Sequence, residues 1–194
     1  LATWGIGIIL QQLVLLGIGA ESRFVKGPEI LSGNTEIGPL IMSNYRIFVI
    51  FFSIAVLFVT WRLMTRTEFG MKLRAVIQNR DISECYGIES KRIFSITFAY
   101  GAGLAGIAGA LITPLFSTIP TMGTGLVVDA FLVVIVGGLG SLVGSAVAAA
   151  LIGEATALFS IVINDTLGRI AVLAGIILLI RFRPRGLFPT ETRR

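Results

Sequence analysis

From Ile93 to Pro120 the chain runs 28 residues without one charged side chain, and this stretch places the strongest constraint on its fold. A helix needs roughly 20 apolar residues to cross a bilayer, so this stretch is long enough to span one. Within it, Gly101, Ala105 and Gly109 recur every four residues. Small residues at this spacing let two helix backbones approach closely inside lipid. The stretch therefore predicts both a membrane span and a helix-packing surface.

The composition of the whole chain agrees with an integral membrane protein. Of its 194 residues, 55% are hydrophobic and the mean hydropathy is +0.90. Only 14% are charged, whereas soluble domains have about a quarter charged residues. One cysteine, Cys85, and no histidine exclude an internal disulfide and the usual zinc or haem ligand sets, so we predict no cofactor. Because Leu1 opens inside an apolar run, we expect the N-terminal part of the protein to be missing.

Charged residues divide the chain into apolar segments that predict an all-α, polytopic transmembrane protein. About six spans are expected, within a single domain of residues 1–194. The predicted segments are Leu1–Ala20, Ile37–Trp61, Ile93–Pro114, Gly125–Val136, Val143–Ile163 and Thr166–Ile180. The fourth is short for a full span and leads into a glycine-rich turn, so we expect a short or broken helix there.

The distribution of basic residues predicts the orientation in the membrane. Residues 62–92 carry seven Lys and Arg against four Asp and Glu, residues 181–194 carry five against one, and residues 20–46 carry three of each. The positive-inside rule places the first two segments in the cytoplasm and the third outside. Six crossings satisfy all three placements and leave the C-terminus cytoplasmic. Nothing in the sequence interleaves basic and aromatic residues as nucleic-acid-binding surfaces do, so we expect no nucleic acid partner.

The basic segment of residues 62–92 is long for a simple connector and has an amphipathic pattern. Between Ala75 and Tyr86, apolar and polar residues alternate at roughly helical spacing. Gly87 follows where a helix end favours a left-handed residue. The pattern predicts one short helix on the inner membrane surface, for which simple anchoring of the loop is a sufficient role.

Four sequence blocks resemble, in order and spacing, the permease subunits of branched-chain amino acid ABC importers. The blocks are RAVIQNRDISECYGI, AGLAGIAGAL, VDAFLVVIVGGLGSLVGS and RPRGLF, and the match in their order and spacing extends over essentially all of residues 60–189. Within that family, the segments LATWGIGIILQQLV, SNYR and QNR are more similar to the urea importer permease. The family usually has alanine where this chain has Ser83.

The resemblance implies a permease of the bacterial inner membrane that works in a larger assembly. Its expected partners are a second homologous permease, two cytoplasmic ATPases, an extracytoplasmic solute-binding protein and the lipid bilayer. Residues 62–92 would be the coupling loop that docks on an ATPase. The coupling residues implied are Ala75, Asn79, Arg80, Ser83, Glu84 and Gly87. We expect the apolar side of this loop to face the spans, and its polar side, with Asn79, Ser83 and Glu84, to face the ATPase.

Polar residues and glycines inside the apolar segments are candidates for lining the transport path. The candidates are Thr3, Gln11, Gln12, Asp129, Gly137, Gly138 and Glu154. A carboxylate in a membrane is costly, so both acidic residues should face protein or water. Amide side chains match the N–H groups and carbonyl of urea. Hydrogen bonds to another helix would also account for Gln11 and Gln12. A tight turn between two helices would account for Gly137 and Gly138, and neither explanation requires transport. Asp165 and Arg169, four residues apart, are typical of an exposed helical pair.

The sequence predicts a transporter subunit and not an enzyme. It contains no GxxxxGK[ST] motif, so ATP would be hydrolysed on another chain. GAGLAG matches the dinucleotide pattern GxGxxG, but it lies inside an uncharged span instead of after a strand. An intramembrane enzyme would need a histidine, or a second acid to pair with Asp129 inside an apolar segment, and this sequence offers neither. We therefore predict ATP-driven import of urea or a close small amide, with branched-chain amino acids as the alternative solute and a passive channel as a third possibility.

Overall fold

The computed structural model describes residues 2–22, 24–25, 27–28, 33–37, 40–162, 164–183 and 186–187. These residues form eight helices and one two-stranded hairpin. The elements are α1 (Ala2–Ile18), β1 (Asn34–Ile37), β2 (Leu40–Ser43), α2 (Asn44–Arg66), α3 (Glu68–Gln78), α4 (Arg80–Cys85), α5 (Ser90–Ile112), α6 (Met122–Gly137), α7 (Leu142–Val162) and α8 (Asp165–Phe182). The chain divides into two compact units, Leu1–Pro120 and Thr121–Arg194, each described by itself below. The single domain stays a prediction.

Six of these helices occupy the predicted apolar segments, which confirms the helical, polytopic architecture. Judged by length and composition, three described helices can cross a membrane: α2, α5 and Leu142–Ile161 of α7. Helices α1 and α6 are apolar but shorter, with 17 and 16 residues. Helix α8 has 18 residues and includes Asp165, Arg169 and Arg181. The count of six spans stays a prediction.

The second apolar segment begins with a β-hairpin, which the sequence did not predict. Strands β1 and β2 pair antiparallel, with Ile37 opposite Leu40. Helix α2 therefore begins at Asn44 instead of Ile37, and it continues past Trp61 to Arg66. Because the sequence of β2 is itself apolar, hydropathy could not separate the strand from the helix that follows it.

In the first unit, hydrogen bonds made by side chains hold α2 and α5 antiparallel. The hydroxyl of Tyr45, near the start of α2, donates to the carbonyl of Leu111, near the end of α5, at 3.0 Å. About four turns later on α2, the hydroxyls of Thr60 and Tyr100 lie 2.8 Å apart and share a hydrogen bond. Both Tyr45 and Thr60 are buried. Since the last carbonyls of a helix lack an intrahelical donor, Tyr45 satisfies a group that lipid could not.

A tight junction between α2 and α3 fixes the start of the loop. The side-chain oxygen of Thr67 donates to the carbonyl of Leu63 at 2.6 Å and accepts from the backbone N–H of Gly70 at 3.4 Å. Gly70 is buried, and a Cβ placed on it would overlap the carbonyl oxygen of Met64. This position therefore excludes every side chain.

In the second unit, α6, α7 and α8 pack around one apolar core. Its buried members are Val136, Ala148 and Ile176, surrounded by partly buried Leu132, Val133, Ile152, Val172, Leu179, Ile180 and Leu187. Two glycines permit close approach of the helices. A Cβ on Gly137 would lie 2.5 Å from the backbone nitrogen of Ser145, and one on Gly168 would lie 2.9 Å from that of Ser160.

The end of the described chain returns to the turn between α6 and α7. The backbone N–H of Leu187 donates to the carbonyl of Val136 at 2.8 Å. Gly186 has φ +79° and Gly138 has φ +100°. A Cβ on Gly186 would lie 2.6 Å from the Cα of Gly138. The third and fourth blocks of the family resemblance are therefore in direct contact.

The small-residue stretch of α5 has open space beside its glycines within the first unit. A Cβ placed on Gly101, Gly103, Gly106 or Gly109 would meet nothing within 4 Å. The predicted role of this stretch as a packing surface stays a prediction.

Candidate functional site

The predicted coupling loop contains two short helices, so the prediction of one continuous helix was wrong. Asn79 separates α3 from α4 because its backbone is extended, with φ −155° and ψ 109°. Its side-chain oxygen accepts from the N–H of Ile82 at 3.1 Å and so caps α4, a role that asparagine commonly takes. Gly87 ends the segment with φ +80°, which confirms the predicted left-handed residue.

Ser83 faces the inside of the loop, contrary to the prediction that it faces a partner. Its side chain is 4% exposed, and its hydroxyl donates to the carbonyl of Asn79 at 2.8 Å. Leu73 and Val76 of α3 are buried, and Ala75 is half-buried. The hydrogen bond to Asn79 is what allows a serine to occupy this buried position.

Part of the exposed surface of α4 is apolar. Ile82 and Tyr86, which the pattern had placed against the spans, are 55% and 83% exposed, and Cys85 between them is also exposed. Residues four apart on a helix are neighbours, so Ile82 and Tyr86 lie side by side. We call Ile82, Cys85 and Tyr86 the α4 surface. Exposed apolar groups of this kind mark interaction sites when they are grouped.

An ion pair borders the α4 surface. Arg80 Nε lies 3.0 Å from Glu84 Oε1, one turn along the helix. This arginine is the main reason that the pKa of the Glu84 carboxyl lies below its ordinary value. The hydroxyl of Ser90 lowers that pKa further, although its buried oxygen completes no hydrogen bond among the described residues. Glu84 is therefore ionised at neutral pH. A cleft of about 460 Å³ lies beside the pair, lined by Arg80, Glu84 and residues 87–91.

The structure distributes the predicted path residues over both units. Thr3, Gln11 and Gln12 lie on α1, which buries no residue. Gly137 is buried against α7 and Gly138 forms the turn that follows, so this segment is a tight turn between two helices. Glu154 is exposed on α7. Among the described residues, Asp129 is the one member of this set that has an ion pair.

Asp129 of α6 pairs with Arg169 of α8. Arg169 Nη2 lies 3.3 Å from Asp129 Oδ2, and the two side chains are 67% and 52% exposed, respectively. At 1.5 Å per residue, Asp129 lies about 10 Å from the start of α6 and Arg169 about 6 Å from the start of α8. The sequence spacing suggested Asp165 as the partner of Arg169, and Arg169 was missed as a path candidate. An aspartate in the fourth predicted apolar segment and an arginine in the sixth were the available signal.

The chain is similar to known proteins over most of its length. Residues 1–181 match the sequence model of a family described as the permease component of the branched-chain amino acid transport system. The high-affinity branched-chain amino acid transport system permease protein BraD of Pseudomonas aeruginosa is 28% identical over 189 residues, which cover 94% of this chain and 61% of that protein. LivH of Escherichia coli, named for the same transport system, is 27% identical over 191 residues with the same two shares.

A third similar protein comes from another organism. The probable branched-chain amino acid transport permease protein LivH of Methanocaldococcus jannaschii is 28% identical over 178 residues, which cover 84% of this chain and 54% of that protein. The chain thus spans somewhat more than half the length of these relatives. No solved structure matches. The relatives named here are amino acid permeases, and they give no support to the expected closeness to the urea branch.

Proposed function

Because the chain belongs to the family of permease components of branched-chain amino acid transport systems, we propose that it is a membrane-spanning subunit of an ATP-driven importer for these amino acids. The observation that carries this proposal is the family match over residues 1–181. Three short segments favoured urea in the sequence, and they cover far less of the chain than this match does. Branched-chain amino acids therefore replace urea as the proposed solute.

The importer would contain the partners that the resemblance implies. These are a second homologous permease, two cytoplasmic ATPases and an extracytoplasmic binding protein. Two observations are consistent with further membrane-embedded helices around this chain. Helix α1 buries no residue, and the small-residue stretch of α5 has open space beside each of its glycines. Lipid or a second permease would cover these apolar surfaces.

The loop between α2 and α5 is proposed to couple the spans to an ATPase through the α4 surface. Ile82 and Tyr86 supply exposed apolar groups, and the Arg80–Glu84 pair supplies a charged rim. An apolar centre with a polar rim is the usual composition of a protein interface. Helix α3 packs on α2 and α5, and its junction with α2 at Gly70 is tight. A displacement of α4 would therefore be passed to both spans.

Docking through the α4 surface predicts the effect of replacing its apolar residues. We expect Ile82→Ser and Tyr86→Ser each to weaken ATPase association about tenfold, because buried interface anchors contribute about 1–2 kcal/mol or more. The assay measures binding of the ATPase to the permease pair in nanodiscs, together with solute-stimulated ATP hydrolysis. Met71→Ser is the matched control, since Met71 is similarly exposed but lies in α3. Normal association and hydrolysis in both variants would remove the α4 surface from the coupling role.

Uptake by the whole importer tests the proposed solute. Cells that contain the other components should take up labelled leucine only when this subunit is present and ATP is available. Labelled urea should not accumulate. Subunit-dependent uptake of urea without leucine would restore the urea assignment, and leucine flux that persists without ATP would indicate a channel.

A further inference from the structure

The Asp129–Arg169 pair lies on helix surfaces that cannot face lipid. Both helices are mainly apolar, yet the two charged side chains are more than half exposed. Charged side chains within membrane helices are unfavourable in lipid and almost always face the interior of the helix bundle or a water-filled cavity. The surface that carries the pair must therefore contact water or protein.

The pair lies on the side from which an importer receives its solute. In the predicted orientation, α6 and α8 both start at the outer side of the membrane. A solute entering from that side would reach Arg169 about 6 Å from the start of α8, after one turn of helix. It would reach Asp129 about 10 Å from the start of α6, after two turns. Both charges would thus be near the entrance of a path that a binding protein supplies.

The pair leaves much of its hydrogen-bonding capacity unused. A guanidinium has five N–H donors and a carboxylate can accept through two oxygens. The contact uses Nη2 of Arg169 and Oδ2 of Asp129, and no other hydrogen bond to either side chain occurs among the described residues. The pair can therefore accept a second anion at the arginine and a second cation at the aspartate. Leu173, one turn further along α8, is exposed and offers an apolar contact on the same side.

We propose that Asp129 and Arg169 bind the charged head group of the transported amino acid. Arg169 binds the α-carboxylate and Asp129 binds the α-ammonium group. The two charges of an α-amino acid are separated by a single carbon, which suits a protein pair whose own charged atoms are 3.3 Å apart. Urea is neutral, so it offers neither an anionic group to Arg169 nor a cationic group to Asp129. This inference rests on the proposed function and extends it to the residues that recognise the solute.

Leucine analogues that lack one charged group test each residue separately. Leucinamide lacks the carboxylate, and 4-methylpentanoate lacks the ammonium group. The complete membrane complex is placed in nanodiscs without the binding protein, and each compound competes with labelled leucine. Because a hydrogen bond to a charged group contributes about 1.5–3 kcal/mol, the wild type should prefer leucine over either analogue by about tenfold or more.

Each substitution should abolish one preference and retain the other. Arg169→Gln should lose the preference for leucine over leucinamide, whereas Asp129→Asn should lose the preference over 4-methylpentanoate. The double variant leaves no unpaired charge and should lose both, which keeps the test usable if a single variant does not assemble. Arg46→Gln removes a similarly placed charge at the start of α2 and should behave as the wild type.

Three results would overturn the inference: equal weakening of all compounds in the variants, unchanged preferences in the variants, or no preference in the wild type. The proposed function is tested separately by ATP-driven leucine uptake with the binding protein added. If uptake occurs and the preferences do not follow the predicted pattern, only the role of the pair is wrong. If the wild type takes up no leucine, the proposed function itself is wrong.

Discussion

At the scale of single residues, several polar side chains bind backbone groups that helix ends leave free. Tyr45 donates to the carbonyl of Leu111, and Asn79 accepts from the N–H of Ile82. Thr67 accepts from Gly70 at the start of α3. The carbonyl of Leu111 would have no water to bind inside a membrane, where an unsatisfied backbone group costs several kcal/mol. These side chains therefore define where the helices can end.

Removing the hydroxyl of Tyr45 should destabilise the first unit. Tyr45→Phe keeps the ring but leaves the carbonyl of Leu111 without that donor, which should cost about 1–3 kcal/mol. The measurement is thermal unfolding of the purified permease pair without the ATPases. Tyr86→Phe removes a hydroxyl from an exposed ring and should leave the midpoint unchanged. Equal midpoints for Tyr45→Phe and the wild type would show that the hydrogen bond contributes nothing.

At the scale of helices and strands, hydropathy predicted the apolar helices well and their connections less well. The start of α2 was missed because β2 is as apolar as the helix after it. The loop was predicted as one helix because Asn79 fits a helical pattern by position, while its role as a cap depends on backbone geometry. The burial of Ser83 depends on that same geometry. The Asp129–Arg169 pair joins two helices, and spacing along one helix could not reveal it.

The junction of α2 and α3 should not tolerate a side chain at residue 70. Gly70→Ala would place a carbon on the carbonyl of Met64, so the two helices must separate, at a cost of about 1–3 kcal/mol or more. We expect lower thermal stability and weaker solute-stimulated ATP hydrolysis. Gly153→Ala in α7 is the control, because open space surrounds it and alanine favours a helix by about 1 kcal/mol. Wild-type behaviour of Gly70→Ala would contradict the tight junction.

At the scale of the whole molecule, the basic residues predict on which side of the membrane each connection lies. The proposed coupling loop and the C-terminal residues would share the cytoplasmic side, where the proposed ATPases would bind. Loop residues Cys85 and Glu89 are both exposed, so thiol labelling at these two positions can show on which side of the membrane the loop lies. An even number of crossings must separate the loop from the C-terminus if both are cytoplasmic.

Cysteine labelling should place the loop inside the cell. Cys85 is the natural probe, since it is the one cysteine of the chain. An impermeant thiol reagent should label it in inside-out vesicles and not in intact cells. Glu89→Cys on a Cys85→Ser background gives a second probe in case an ATPase covers the α4 surface, and Cys85→Ser alone gives the background. Labelling of the residue 89 probe in intact cells would mean that the orientation is inverted.

The hydrogen bond from Leu187 to Val136 also has a consequence for the order in which the protein is made. The donor is synthesised 51 residues after the acceptor. At about 5–20 residues per second, roughly 3–10 s pass before the end of α6 can gain this bond. During that interval the α6–α7 turn lacks its final contact, while α7 and α8 are still entering the membrane. A nascent chain stopped before Leu187 should therefore be recognised as unfinished by the proteases that survey membrane insertion.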